Sequence, residues 1–505
     1  MPQRFLNMTL RRCIAAVVAG ALASVCGGAS AVVGSGAGHG GLRFVNLELP
    51  STPPAPVGTR CPGSAACWNH AVEPAIRADP AGTFYVSTEN GLFSGTIAAK
   101  SSDGGLHYES LASPNELSAT EAVGFAPGGG DTDLATAPDP NAAGFHNVYV
   151  ASLSLADVDV STSADGGATW KLNPTGAQIE GDDREWIAAD GATKVCISYH
   201  DLATFNVDVD CSYDAGATFT QHALPGAIDA AHAFLLQNNQ HGNLVIDPAT
   251  HVVYQVLAGI AGPTEVACGL AFMCKYHAVW LAVSTDGGRT FADYPVYVGP
   301  SSRIGYNHVF PNVAIDRAGT VYVLFSDGRD VYLTYSRDRG RTWIAPTRVN
   351  RPPAATAIFP WAVGGDAGKL DVVYYGTSYR DDASEPDAFP ASAKWHAYFA
   401  QSLDVTGRHV RFTQVRVTPV VHTGAVCEGG ISCSGNRDLF DDFGVAASPV
   451  TGMASIAYTE DQYSEDPEDQ SPPGCTREKT NTYACDRTAI ATQVGGFPIF
   501  GSRLR

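Results

Sequence analysis

Two short stretches carry the densest ionisable chemistry of the chain: Asp182-Asp183-Arg184-Glu185, and Asn436-Arg437-Asp438 with Asp441-Asp442 just after it. Closely set carboxylates push one another's pKa values apart, so one can donate a proton while its neighbour stays charged. A guanidinium beside them offers a forked donor set for a carboxylate or a hydroxyl. Glu73, Asp133, His241, Phe310, Phe359 and Asp442 share the position of Arg184, each at the start of an apolar, strand-like segment. Acids set among aromatic faces suit the cleavage of glycosidic bonds, which needs a proton donor, a second carboxylate and a flat surface for the ring. Glu73, Asp133, Asp183 and Asp442 are therefore the candidate catalytic acids. Arg184, His241, Phe310, Phe359 and Arg437 are the candidate substrate contacts. The competing reading makes the charged stretches salt-bridge clamps between neighbouring elements.

What makes these positions equivalent is a repeat. An apolar strand, a short Asp- or Gly-bearing turn and an aromatic-rich strand recur, as in EPAIRADPAGTFYVS from Glu73, REWIAADGATKVCISY from Arg184 and FPNVAIDRAGTVYVLF from Phe310. Further copies begin at Asp133, His241, Phe359 and Asp442, making seven in all. Alternating β-branched and aromatic residues between such turns are hairpin signals, and repeats at this spacing indicate a propeller or solenoid. An octet follows six of the copies: SSDGGLHY from Ser101, SADGGATW from Ser163, SYDAGATF from Ser212, STDGGRTF from Ser284, SRDRGRTW from Ser336 and a looser SLDVTGRHVRF from Ser402. Its Ser and Asp bond the backbone of a tight loop, its glycines supply left-handed φ, and its closing aromatic buries itself. The octet is turn chemistry, not a catalytic signature.

The fold expected is all-β: one seven-bladed propeller, with a six-bladed ring as the alternative. The segment 42–49 would supply the outer strand of the blade begun at Asp442, and TAIATQV near Thr488 its third strand, so that the termini lock the ring. The loops opening the inner strands would then line one funnel. Loops after the second strands would add Glu89, His200, Asp201, Asp327, Arg329, Tyr375, Glu460 and Asp461.

The octets resemble the Asp-box of sialidase-like β-propellers, where it turns the third strand of a blade into the fourth. The resemblance spans nearly all of the chain beyond its first segment. It implies an exported protein acting on carbohydrate or glycoconjugate, by glycoside hydrolysis. Sialidases of this family hold the substrate carboxylate with three arginines and use a Tyr–Glu nucleophile pair and an Asp acid/base. The first of those arginines lies in an R-I-P sequence, and here Glu73-Pro74-Ala75-Ile76 stands in its place. Arg303, Arg329 and Arg437 could reach inward from loops. A non-catalytic glycan- or protein-binding propeller is the alternative.

Composition bounds the rest. Arg11 and Arg12, an apolar run and Ala29-Ser30-Ala31 read as a cleaved leader over residues 1–31, leaving 32–505 as the propeller and placing the protein in the secreted or periplasmic space. Ten cysteines beyond that leader fall into local pairs: Cys61/Cys67, Cys196/Cys211, Cys268/Cys274, Cys427/Cys433 and Cys475/Cys485. On an exported chain these predict five disulfides. A net charge of −19 argues against nucleic acid as a partner. No later apolar run is long enough to span a membrane. His241 and His308 lack a third ligand of suitable spacing, so no metal is expected in the funnel. The acidic loop SEDPEDQSPPG from Ser464 reads as a solvated insertion that admits calcium; no other cofactor is expected.

Overall fold

Each repeat folds into an antiparallel blade, four-stranded except for one added strand in blade 6, because its turns are locally determined. In blade 1 the Asp79 carboxylate accepts the Thr83 amide at 2.9 Å, while Gly82 takes a φ of +92°. That closes Val72–Ala78 against Phe84–Glu89. Asp247 and Asp316 serve the same turn in blades 4 and 5, accepting the Ala249 and Ala318 amides. This computed structural model describes residues 41–50, 71–90, 95–115, 128–154, 157–226, 230–270, 273–430, 433, 437–461 and 486–501.

Seven sheets result. Their inner strands are Val72–Ala78, Thr132–Pro140, Asp182–Asp190, Asn239–Ile246, Asn312–Ile315, Thr356–Gly364 and Gly444–Ala447, opening blades 1 to 7 in turn. Neighbouring inner strands pack side by side, and Val72–Ala78 meets Gly444–Ala447 to close the circle. Blade 7 mixes the chain's two ends: Arg43–Glu48 pairs antiparallel with Arg487–Gly495, which pairs with Ala454–Glu460. The seven-bladed expectation and its closure by the 42–49 segment are therefore met, and six blades are not. The core is the set of sheet faces between blades, filled by residues such as Trp186, Tyr199, Tyr322, Trp395 and Tyr458.

The octets join third to fourth strands in blades 1 to 6. In five of them the serine hydroxyl accepts the amide of the glycine four residues on, at 2.7 Å for Ser163–Gly167 and 3.0 Å for Ser101–Gly105. The aspartate accepts amides further along, as Asp165 does from Thr169 at 2.9 Å. That glycine cannot be replaced freely. At Gly167, φ is +86° and a Cβ would stand 2.7 Å from Leu111 of the preceding blade. Antiparallel connectivity puts these turns at the opposite end of the blades from the loops that open the inner strands.

Three of the five expected disulfides join described residues: Cys196–Cys211, Cys268–Cys274 and Cys427–Cys433. Cys196 and Cys211 face each other on adjacent strands of blade 3. The pairs Cys61/Cys67 and Cys475/Cys485, the 1–31 leader and the 464–474 loop lie outside the described residues. No helix among the described residues is long and apolar enough to cross a membrane. The Cys196–Cys211 link closes a 15-residue separation, for which chain entropy predicts about 3 kcal/mol. Denaturant unfolding of the doubly substituted Cys196→Ala/Cys211→Ala protein should show a loss of that order. A loss below about 1 kcal/mol would mean that the strand pairing alone fixes this blade.

Candidate active site

At the mouth of the ring the inner strands do not run straight. Register slips separate Val72 from Ala75, Asp183 from Glu185, His241 from Leu244 and Ile358 from Trp361. Glu73, Arg184 and Phe359 sit in these kinks with left-handed φ of 49°, 57° and 55°, and Phe440 takes 55° beside the blade 7 opening. Non-glycine residues avoid this region at roughly 1–2 kcal/mol each. Bulges of this kind re-aim a side chain.

What they aim inward is an arginine–carboxylate cluster. Arg184 Nη1 lies 3.2 Å from Glu73 Oε2 and 3.2 Å from Asp131 Oδ2, and its Nη2 meets Asp442. Arg437 Nη2 donates to the other Glu73 oxygen at 3.1 Å and to Asp441 at 2.9 Å. The Asp441 amide also donates to Glu73, at 3.1 Å. Glu73 is fully buried, and burial followed by the fields of Asp131, Glu89 and Asp441 pushes its pKa well up, against the pull of Arg437. The guanidinium of Arg184 is stacked over Trp186 at 4.5 Å and Phe310 at 5.1 Å.

The sequence candidates divide accordingly. Glu73, Arg184, Arg437 and Asp442 come together as one cluster. Asp183 stands beside it, exposed, with its pKa raised to about 6 by burial of its carboxyl end and by Asp131, while Arg184 pulls it down. Phe310 and Phe359 line a narrow cleft with Trp186, Trp361, Asp441 and Asp442. His241 is buried behind the cluster, stacked on His200 at 5.9 Å and bonded to the Arg184 backbone. Its pKa is driven well down, first by burial and then by His200 and Arg184. Asp133 is engaged elsewhere. It accepts Arg77 Nη2 at 2.7 Å and the Leu134 and Ile187 amides at 2.8 and 3.1 Å, tying blades 1, 2 and 3 together. The acid that blade 2 brings to Arg184 is Asp131, two residues earlier.

Of the second-strand loop residues, Glu89 joins the cluster. Burial and then Asp131 raise its pKa to about 8. Asp327 caps its own turn, accepting the Arg329 and Asp330 amides. Arg329 is committed to the 382–385 loop through the Asp382 and Ser384 carbonyls. Trp186 and Trp361 were missed by sequence reasoning. They follow the mouth positions by two residues, a spacing that alone does not tell a funnel wall from a core residue.

Fold and cluster together define a seven-bladed propeller with buried arginines and carboxylates at one mouth of its axis. No protein-family model matches the sequence, and no curated protein matches it. Among solved structures, an α-L-arabinofuranosidase from Fusarium graminearum bound to an iminosugar inhibitor is similar at 15% identity, covering 66% of this chain and 92% of that one, with a TM-score of 0.42. An α-L-arabinanase from Penicillium chrysogenum shows 13% identity over 66% and 93%, with a TM-score of 0.41. The intramolecular trans-sialidase from Ruminococcus gnavus shows 12% identity over 77% and 90%, with a TM-score of 0.35. Likenesses at this level assign no activity to this chain.

Proposed function

We propose that the funnel mouth binds carbohydrate and cleaves glycosidic bonds, with Asp183 as the general acid. The observation that carries this reading is an exposed residue, Asp183, whose carboxyl lies in the fields of Asp131 and Arg184 with its pKa raised to about 6, at a mouth where the Arg184 guanidinium is stacked on Trp186 and Phe310. Such an acid keeps a protonated fraction near neutrality and can reach a leaving-group oxygen. Glu73, Asp442 and Asp133 are less suited to proton donation, because arginines already engage all three. Asp131, partly exposed beside Arg184, supplies the second carboxylate. The cleft has room for about one water molecule, so a sugar ring would lie across the rim above Phe310. We further read the octets as Asp-boxes of the sialidase-like type and the protein as exported. The repeated Ser–Gly and Asp–amide bonding and the three disulfides support this.

One observation favours a non-catalytic binding propeller. Four carboxylates occupy Arg184 and Arg437, leaving them little capacity for an anionic substrate. The two readings separate on a panel of labelled oligosaccharides. Hydrolysis should appear, decline as pH rises through about 6, and fall at least about 100-fold in Asp183→Asn with melting temperature unchanged. Saturable binding without turnover across the panel would establish the binding reading. Turnover undiminished in Asp183→Asn would remove Asp183 from the role.

A further inference from the structure

Beside the funnel, blade 7 meets an added strand of blade 6, His422–Thr423, which pairs with Lys394 and Trp395 outside the repeat pattern. Here His422, Asp438 and Asp461 converge, each offering one donor atom, with all three atoms within 4.8 Å of one another. All are buried, at 1%, 4% and 1% exposure. His422 Nε2 lies 2.8 Å from the Ala425 carbonyl, which can only accept, so Nε2 carries the hydrogen. In the neutral ring Nδ1 is then a lone pair, yet it faces Asp461 Oδ2 at 2.8 Å and Asp438 Oδ2 at 4.0 Å. A second proton on the imidazole or a bound cation would each satisfy this arrangement.

The unpartnered atoms point the same way. Asp438 Oδ2, the atom turned toward His422, has no hydrogen-bond partner among the described residues. Asp486, at 1% exposure and next to the strand that starts at Arg487, has none for either carboxylate oxygen. A buried acid left without a partner is unfavourable unless a proton or a cation neutralises it.

We propose that His422, Asp438 and Asp461 form a structural site for one divalent first-row cation, zinc being the best match. One imidazole nitrogen among carboxylates suits zinc, whereas calcium takes six to eight oxygens. Donors about 2.0–2.1 Å from a tetrahedral ion stand roughly 3.3 Å apart, and the observed 2.8 and 4.0 Å bracket that separation. The Nε2–H bond to Ala425 is the outer contact that orients a ligating histidine. An ion here would pin blade 6 to blade 7 one residue from Arg437, and so hold that arginine against Glu73. The site does not depend on whether the funnel cleaves or only binds.

The test uses the full chain, stripped with a chelator and titrated separately with zinc, manganese and calcium chlorides. Expected are about one zinc per chain by elemental analysis, a saturable rise in melting temperature with zinc, and at least about ten-fold weaker zinc binding in Asp438→Asn. The metal-free Asp438→Asn protein should melt no lower than the metal-free parent, because the Asp438 Oδ2 atom facing His422 has no hydrogen-bond partner among the described residues. A salt bridge to His422 predicts the opposite, a lower melting temperature and no response to zinc. The proposal fails on that result. It fails equally if calcium alone binds, or if His422→Gln and Asp438→Asn both keep the parent's zinc affinity.

Discussion

Replacing Arg184 by methionine is expected to destabilise the propeller by about 3–5 kcal/mol, the cost of stranding buried charges by removing their partner. One guanidinium faces Glu73 from blade 1, Asp131 from blade 2 and Asp442 from blade 7, and it belongs to blade 3. Its removal leaves Arg437 as the only arginine on Glu73 among the described residues, and Glu73 has no exposure to water. Methionine keeps much of the stacking volume over Trp186 and Phe310, so the loss reports charge more than packing. Adding Glu73→Gln should recover part of it, giving a coupling of roughly 0.5–3 kcal/mol in a double-mutant cycle. Denaturant unfolding of the four proteins checks this. A single-mutant cost under about 1 kcal/mol would show that the acids take up protons cheaply and that Arg184 is free to serve a ligand. A large cost would mean that Arg184 cannot be tested as a substrate contact by deletion, and Asp183 becomes the informative position.

The repeats made the fold legible because its turns are local. An Asp-bearing hairpin and an octet fix each blade without reference to the others, and strand count then follows from repeat count. Even the closing strand was readable: expected over 42–49, it spans Arg43–Glu48. The site was legible only as far as register could be trusted. Glu73, Arg184 and Asp442 align because their strands open alike, so they arrive at the same height around the axis. The blade 2 repeat aligns less cleanly, and there Asp131 rather than Asp133 reaches Arg184. Left-handed φ at Glu73, Arg184 and Phe359 leaves no mark in sequence, since none is a glycine or asparagine. The His422 cluster was invisible for a different reason. Its histidine comes from a strand with no counterpart in other blades, so no repeat alignment points to it.

The melting temperature should fall as pH rises from about 6 to 9, opposite to the acid lability usual where paired carboxylates dominate. Several buried acids set the sign. Asp371 is raised to about 8 by burial, with Gln401 pulling it back. Burial and then Asp157 and Asp201 raise Asp182 to about 9, and burial raises Asp159 to about 7 against its Asn115 contact. Glu89 stands at about 8. A group with a raised folded pKa contributes fully below its unfolded value of about 4. As pH climbs toward the folded value, the unfolded chain releases the proton first and that contribution is lost. Two histidines act around neutrality in opposite directions. Buried His241 is pushed down and costs stability as pH falls below its unfolded value, whereas His308 is lowered by burial but raised further by Glu428. The octet acids Asp286 and Asp338, drawn down to about 2, lose their contribution only in strong acid. They are largely solvated, which discounts them. Stability should therefore peak near pH 4, and Asp371→Asn should flatten the decline above it while leaving the acid side in place. Melting curves at fixed ionic strength from pH 3 to 9 measure both limbs. A melting temperature that stays level or climbs between pH 6 and 9 would mean that these acids are charged and compensated in the fold, and that burial is not what governs their protons.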